Sequence, residues 1–158
     1  MLQRVQSIFL ALVAIAMFSV VFTSIWEKTS SEGTETVVLT ALQMVHSKGE
    51  EAVNTVNTFY IAALAFLSAA VAIGSIFSYK SRLTQLKLNL LNVLLMAATI
   101  GCMVYFLFEG TKYFEVKTNQ GAFDIGFYLP AVGLFFNLLA NRFIRKDEKL
   151  VRSSDRLR

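Results

Sequence analysis

The feature that most constrains this chain is a set of four apolar stretches, each long enough to cross a bilayer: roughly Ile8–Trp26, Phe59–Tyr79, Leu88–Phe108 and Phe127–Ile144. A helix rises about 1.5 Å per residue, so about twenty residues cover the roughly 30 Å of a hydrocarbon core. Charge is missing from the middle of all four, and Arg142 stands near the end of the last. Helices of a water-soluble protein interleave charge every few residues, whereas Ile61–Phe77 contains none. The expectation is an all-α membrane protein, a single four-helix transmembrane bundle occupying the whole chain. Its composition agrees, with 55% hydrophobic and 16% charged residues and a mean hydropathy of +0.55.

Orientation follows from the charges. Placing the N-terminus, the 80–87 link and the tail from Arg142 on one side gathers eleven basic residues against three acids. The other side holds four basic residues and eight acids. Lys and Arg accumulate on the cytoplasmic side, so both termini are expected there. The net charge of +4 then reads as a topology signal and an attraction to anionic headgroups, with no nucleic-acid partner implied. The first stretch has the look of a secretory signal, with Arg4 and an Ala14-Ile15-Ala16 triplet. It runs on past the triplet to Trp26, an interface-favouring residue, and so reads as an uncleaved anchor.

The connections divide by side. The link Lys80–Lys87 is tight and makes the second and third spans antiparallel neighbours. The outer link Glu27–Thr58 is longer and polar. Within it, Thr36–Leu42 is β-branched and reads as a short strand, while Ser47–Val56 reads as a helical lead-in with two acids in its first turn. A second outer link carries the alternating Phe114–Thr118 and the turn-prone Asn119-Gln120-Gly121. A small periplasmic β element and a disordered loop are both open for this region.

Two polar patterns lie within or beside the spans. Ala70, Gly74 and Ser78, like Ala97 and Gly101, recur every four residues and read as internal packing or, failing that, a seam for another subunit. Asn89 and Asn92 open the third span, and Asn137 and Asn141 close the fourth. Antiparallel helices bring these four amides to one depth, where they are expected to form an interhelical polar layer. The tail continues the fourth helix, with Glu148 four residues before Arg152. With the inner link it offers a lipid- or partner-binding face: Lys80, Arg82, Gln85, Lys87, Arg142, Arg145, Lys146, Arg152 and Arg156. Asp147 and Glu148 interrupt that basic run.

Catalytic patterns are missing. His46 is the sole histidine and reads as a surface residue of an outer loop; Cys102 is the sole cysteine, so the sequence offers no disulfide and no thiolate cage. No ionisable residue stands at mid-span as a proton relay requires. No cofactor, metal or enzymatic activity is expected.

The segments MLQRVQSIFLALVAI, YKSRLTQLKLNLLNVLL and FYLPAVGLFFNLLANRFIRKDEKLVRSSDRLR resemble a family of small Bacteroidota inner-membrane proteins classed as domain of unknown function 4293. The resemblance runs the length of the chain, weakest over Glu27–Thr58, and implies a bacterial inner membrane and four helices without implying an activity. The expectation is a non-catalytic accessory, assembly or scaffold subunit with a membrane-protein partner. A small, oligomeric transporter or channel for a polar solute, its path lined by the asparagines, is the second.

Overall fold

The computed structural model describes residues 3–30, 33–49, 51–78, 81–114 and 121–155, of which 3–4 and 150–155 as backbone alone. Four helices, α1 (Gln3–Ser19), α2 (Phe59–Phe77), α3 (Arg82–Thr111) and α4 (Ile125–Asp155), pack side by side. Between α1 and α2 the chain builds four strands, β1 (Ser24–Thr29), β2 (Glu35–Thr40), β3 (Gln43–Lys48) and β4 (Glu51–Asn57). A fifth, β5 (Ala122–Phe123), precedes α4. They form one antiparallel sheet in the order β4-β3-β2-β1-β5. The all-α bundle expected from the apolar stretches is therefore corrected: the protein is α+β, a five-stranded sheet joined to four helices.

The sheet accounts for the other departures from expectation. The first apolar run does not stay helical to Trp26. Its helix ends at Ser19, a 3₁₀ turn follows over Val20–Phe22, and Ser24–Thr29 becomes β1 with Trp26 fully buried. The β-branched Ile25 and aromatic Trp26 suit a pleated surface, and hydropathy cannot separate a buried strand from a buried helix. Of the β-branched Thr36–Leu42, residues 36–40 lie in β2, which begins at Glu35, so the open choice between a strand and a disordered loop falls to the strand. Ser47–Val56 is no helix; it holds the end of β3 and most of β4, turned at Gly49 (φ +64°). The alternating segment after Phe114 lies outside the described residues from 115 to 120.

The helices carry a common burial period. Buried positions fall at Gln6, Leu10, Val13 and Met17 on α1, continued by Val20 in the 3₁₀ turn, and at Ile61, Ala65, Ser68, Ala72 and Ser75 on α2. On α3 they fall at Gln85, Asn89, Asn92, Met96, Thr99 and Met103, and on α4 at Gly126, Pro130, Gly133, Asn137, Ala140 and Ile144. Each series steps four, three, four, three, the repeat of knobs-into-holes packing between slightly supercoiled helices. Neighbours run α1–α2–α3–α4 and back to α1, alternating in direction, so α1 begins and α4 ends beside the α2–α3 link. All five strands lie at the opposite end.

That seam relocates the small residues. Ala70, Ala97 and Gly101 are exposed, and a Cβ added at Gly74 or Gly101 meets nothing within 4 Å. They face outward and do not pack internally. The close approach of α2 is made instead by Ala65, Ser68, Ala69, Ala72 and Ser75.

The sheet is fastened to the helices by backbone groups a helix end leaves unpaired. The β2–β3 turn supplies the Ala41 carbonyl to the Ala62 N–H of α2, and Leu42 accepts from Thr58 N–H. Asn57 Oδ1 accepts the Phe59 N–H at 2.9 Å. At α4, Asp124 N–H donates to the Ile25 carbonyl and Asp124 accepts from the Ser24 hydroxyl, setting a carboxylate at the positive end of the helix dipole. Gly126 permits this docking, since a Cβ there would stand 2.4 Å from the Ser24 carbonyl oxygen.

Candidate functional site

The amide layer is assembled on α3, where Gln85, Asn89 and Asn92 occupy successive turns of the buried seam. Asn89 is the hub. Its Oδ1 accepts from the Ser75 hydroxyl of α2 at 2.8 Å, and its Nδ2 donates to Asn141 Oδ1 of α4 at 2.9 Å. Its backbone carbonyl accepts from Asn137 Nδ2, also at 2.9 Å. One turn toward the sheet, Asn92 accepts from the Ser68 hydroxyl. One turn the other way, Gln85 donates to the Ser75 carbonyl at 2.8 Å and accepts from Gln6 Nε2 of α1 at 3.3 Å. Asn89, Asn137 and Asn141 are bonded together, Asn92 is bonded to Ser68 one turn away, and the network through Gln85 and Gln6 joins all four helices.

Three participants were not singled out in the sequence: Gln6, Ser68 and Ser75. Ser68 and Ser75 stand seven apart, matching Gln85 and Asn92 on the facing helix, and that heptad spacing was their signal. Gln85, grouped with the surface cations by its place in the chain, is fully buried and belongs to this network.

Two buried atoms of the layer keep no protein partner among the described residues: Asn92 Nδ2 and Asn137 Oδ1. Both lie on the buried seam, each four residues from one member of a pair that packs closely, since a Cβ on Gly133 would lie 3.1 Å from the Met96 sulfur. Toward the sheet the interior turns apolar, with Met17, Met96 and Met103 fully buried. Thr99 directs its hydroxyl to its own Leu95 carbonyl at 2.8 Å.

The basic face divides. Arg82 pairs with Asp147 across α3 and α4 at 3.0 Å and donates to the Asp147 carbonyl. Lys87 is exposed on α3. Arg142, Arg145 and Lys146 are exposed on α4 and, with Leu138, Asn141 and Lys149, line a groove of about 470 Å³. Lys80 and Arg156 lie outside the described residues, as does the side chain of Arg152.

At the sheet end a second polar cluster forms. His46 is largely buried, its side chain 12% exposed, and stacks on Tyr113 with ring centroids 4.8 Å apart, so it is not the surface residue its position suggested. Tyr113 in turn accepts from Asn54 Nδ2 at 3.0 Å, and Lys28 sits 4.6 Å over the Phe114 ring. Glu35 lies 3.1 Å from Lys48 and 3.7 Å from His46 Nε2. The hydrogen bond from Lys48 holds the Glu35 carboxyl below its ordinary value, opposed in part by burial. Lys112, paired with Glu109, is raised above its ordinary value, chiefly by that hydrogen bond. Among the described residues no three metal-ligating side chains gather.

No curated protein matches the chain. The sequence model of the family described as Domain of unknown function (DUF4293) matches residues 2–157, nearly end to end. A match of that extent, on a chain with four helices long and apolar enough to cross a membrane, leads to one assignment: the chain belongs to the DUF4293 family.

Proposed function

We propose that the protein is a non-catalytic integral membrane protein, with four spans and both termini in the cytoplasm, that serves as an accessory or scaffold subunit of an inner-membrane complex. The observation that carries this reading is how the polar interior is spent. Asn89, Asn141, Ser75, Gln85 and Gln6 bond to one another across helices, which fixes their relative positions. The three buried methionines then close the interior toward the sheet. The charge asymmetry supports the orientation, since by sequence the links at the sheet end carry eight acids to four basic residues and those at the opposite end eleven basic residues to three acids. Both ends present surface beyond the spans: the sheet at one, and at the other the last turns of α4, a helix of 31 residues or about 46 Å.

The experiment is purification from native membranes in mild detergent with in-cell crosslinking and mass spectrometry. A stoichiometric partner linked to the α2–α3 link, the end of α4 or the sheet supports a subunit role; recovery of this chain alone refutes it. The second reading, a small transporter or channel, draws on the unpaired Asn92 Nδ2 and Asn137 Oδ1, which offer a donor and an acceptor to a polar solute. Solute flux through reconstituted vesicles that is lost in Asn137→Leu would establish it.

A further inference from the structure

The exposed face of α4 changes character along its length. Leu138 is 60% exposed; one turn on begins a cluster of Arg142, Arg145, Lys146 and Lys149, spaced to share one side of the helix. Of the two acids that interrupt this run in the sequence, Asp147 is turned away to Arg82 of α3, and Glu148 is half-buried beside the cluster. The ion pairs of Glu35, Asp147 and Glu109 are made with other groups, His46, Lys48, Arg82 and Lys112. The four cations surround a groove of about 470 Å³ whose wall includes Asn141, the amide that also receives Asn89 Nδ2.

We infer that this groove binds the headgroup of an anionic phospholipid, its phosphate among Arg142, Arg145, Lys146 and Lys149 and its acyl chains along the exposed face at Leu138. Guanidinium groups match phosphate oxygens in paired hydrogen bonds, and lysines add charge. An amphiphile is favoured over a soluble phosphate because the groove is apolar at one end and cationic at the other. Its level agrees: the apolar window of α4 lies within Ile125–Lys149, so the cations stand where a span leaves hydrocarbon. The site differs from a diffuse basic surface in depending on where its charges are, not on their number. The lipid also gains a route to the interior, since Asn141 borders the groove on one side and the amide layer on the other.

The inference rests on the membrane reading above, and one preparation separates the two. Carbonate washing of membranes tests the reading: a chain released by carbonate refutes it. The groove is tested by native mass spectrometry of the full-length protein in dodecyl maltoside, titrated with phosphatidylglycerol or phosphatidylcholine. The expected result is one tightly held phosphatidylglycerol, weakened at least fivefold by Arg145→Ala. Lys87→Ala, which removes the same charge from the same end of the molecule, should change it less than twofold. Equal losses for both variants, or equal binding of the two lipids, would overturn the site, and displacement by free glycerol 1-phosphate at matching concentration would overturn the choice of a lipid. A photoactivatable phosphatidylglycerol gives a check independent of any variant: its crosslinks in the wild-type chain should concentrate between residues 138 and 149, and an even spread over all four helices would refute the inference.

Discussion

Replacing Asn89 by leucine tests whether the amide layer holds the helices together. The substitution removes two interhelical hydrogen bonds, Ser75 hydroxyl to Oδ1 and Nδ2 to Asn141, and leaves the backbone carbonyl that receives Asn137 in place. Such bonds are worth roughly 0.6 kcal/mol on average and up to about 2 kcal/mol. The freed Ser75 hydroxyl can turn to a carbonyl of its own helix, which recovers part of the loss. The half-buried Asn141 loses its partner outright, and the expected net cost is about 1–2 kcal/mol. For a chain of this length that corresponds to a melting point lower by about 2–8 °C. Asn92→Leu is the internal control. It gives up one bond, from Ser68, and also removes a buried N–H that had no partner, so its cost should stay under about 0.5 kcal/mol. Thermal melts followed by circular dichroism, and titration with dodecyl sulfate in mixed micelles, give both numbers. Equal losses at the two positions, or none at Asn89, would refute the account of the hub.

The sheet should weaken in acid. Glu35 is held below its ordinary carboxyl value in the folded state, so the unfolded state binds the extra proton first; stability is present above the ordinary value and lost as pH falls through the folded one. Fluorescence of Trp26, buried in β1, should report this, and Glu35→Gln should flatten the dependence. Gly126→Ala should cost at least about 2 kcal/mol, because its Cβ would overlap the Ser24 carbonyl, whereas Gly101→Ala should be neutral or stabilise by up to about 1 kcal/mol in the same melts. A Gly101→Ala variant that changes the oligomeric state would instead make the outward stripe of small residues a subunit seam. With Cys102→Ala as background, Thr34→Cys should label from the periplasm and Ser81→Cys should not; the reverse pattern would invert the proposed orientation.

The parts legible in the sequence are those whose signal is long or doubly determined. Twenty uncharged residues leave few alternatives to a long helix, and antiparallel packing brings amides at the start of one helix beside those at the end of the next, as Asn89 meets Asn137 and Asn141. The strands were harder. β4 exposes nearly every side chain, so it has no apolar face and shows no alternation to read. β1 hides in another way, since its first three residues, Ser24-Ile25-Trp26, pass for the end of the first apolar stretch. Spacing by four correctly put Ala70 and Gly74 on one face, but it could not say which face. The seam at Ala65, Ser68, Ala72 and Ser75 is told apart only by its alternating steps of four and three, and by serines that match Asn89 and Asn92 opposite. Gln85 illustrates the same point: its neighbours in the chain are cationic, while its partners in register are amides.

The order of strands has a consequence for how the chain is made. β1 to β4 follow one another and can pair as soon as residue 57 is available, yet the other edge of β1 receives β5 only at Ala122 and Phe123. At 5–20 residues per second, the intervening stretch takes about 3–13 s to synthesise. During that interval Trp26 lacks one flank and the Ile25 carbonyl lacks the Asp124 N–H. Two residues of strand then close both, as the fourth helix starts. The sheet is thereby a record of completion: a chain truncated before α4 keeps an open edge beside its only tryptophan, where a protease or chaperone can tell it from a finished one.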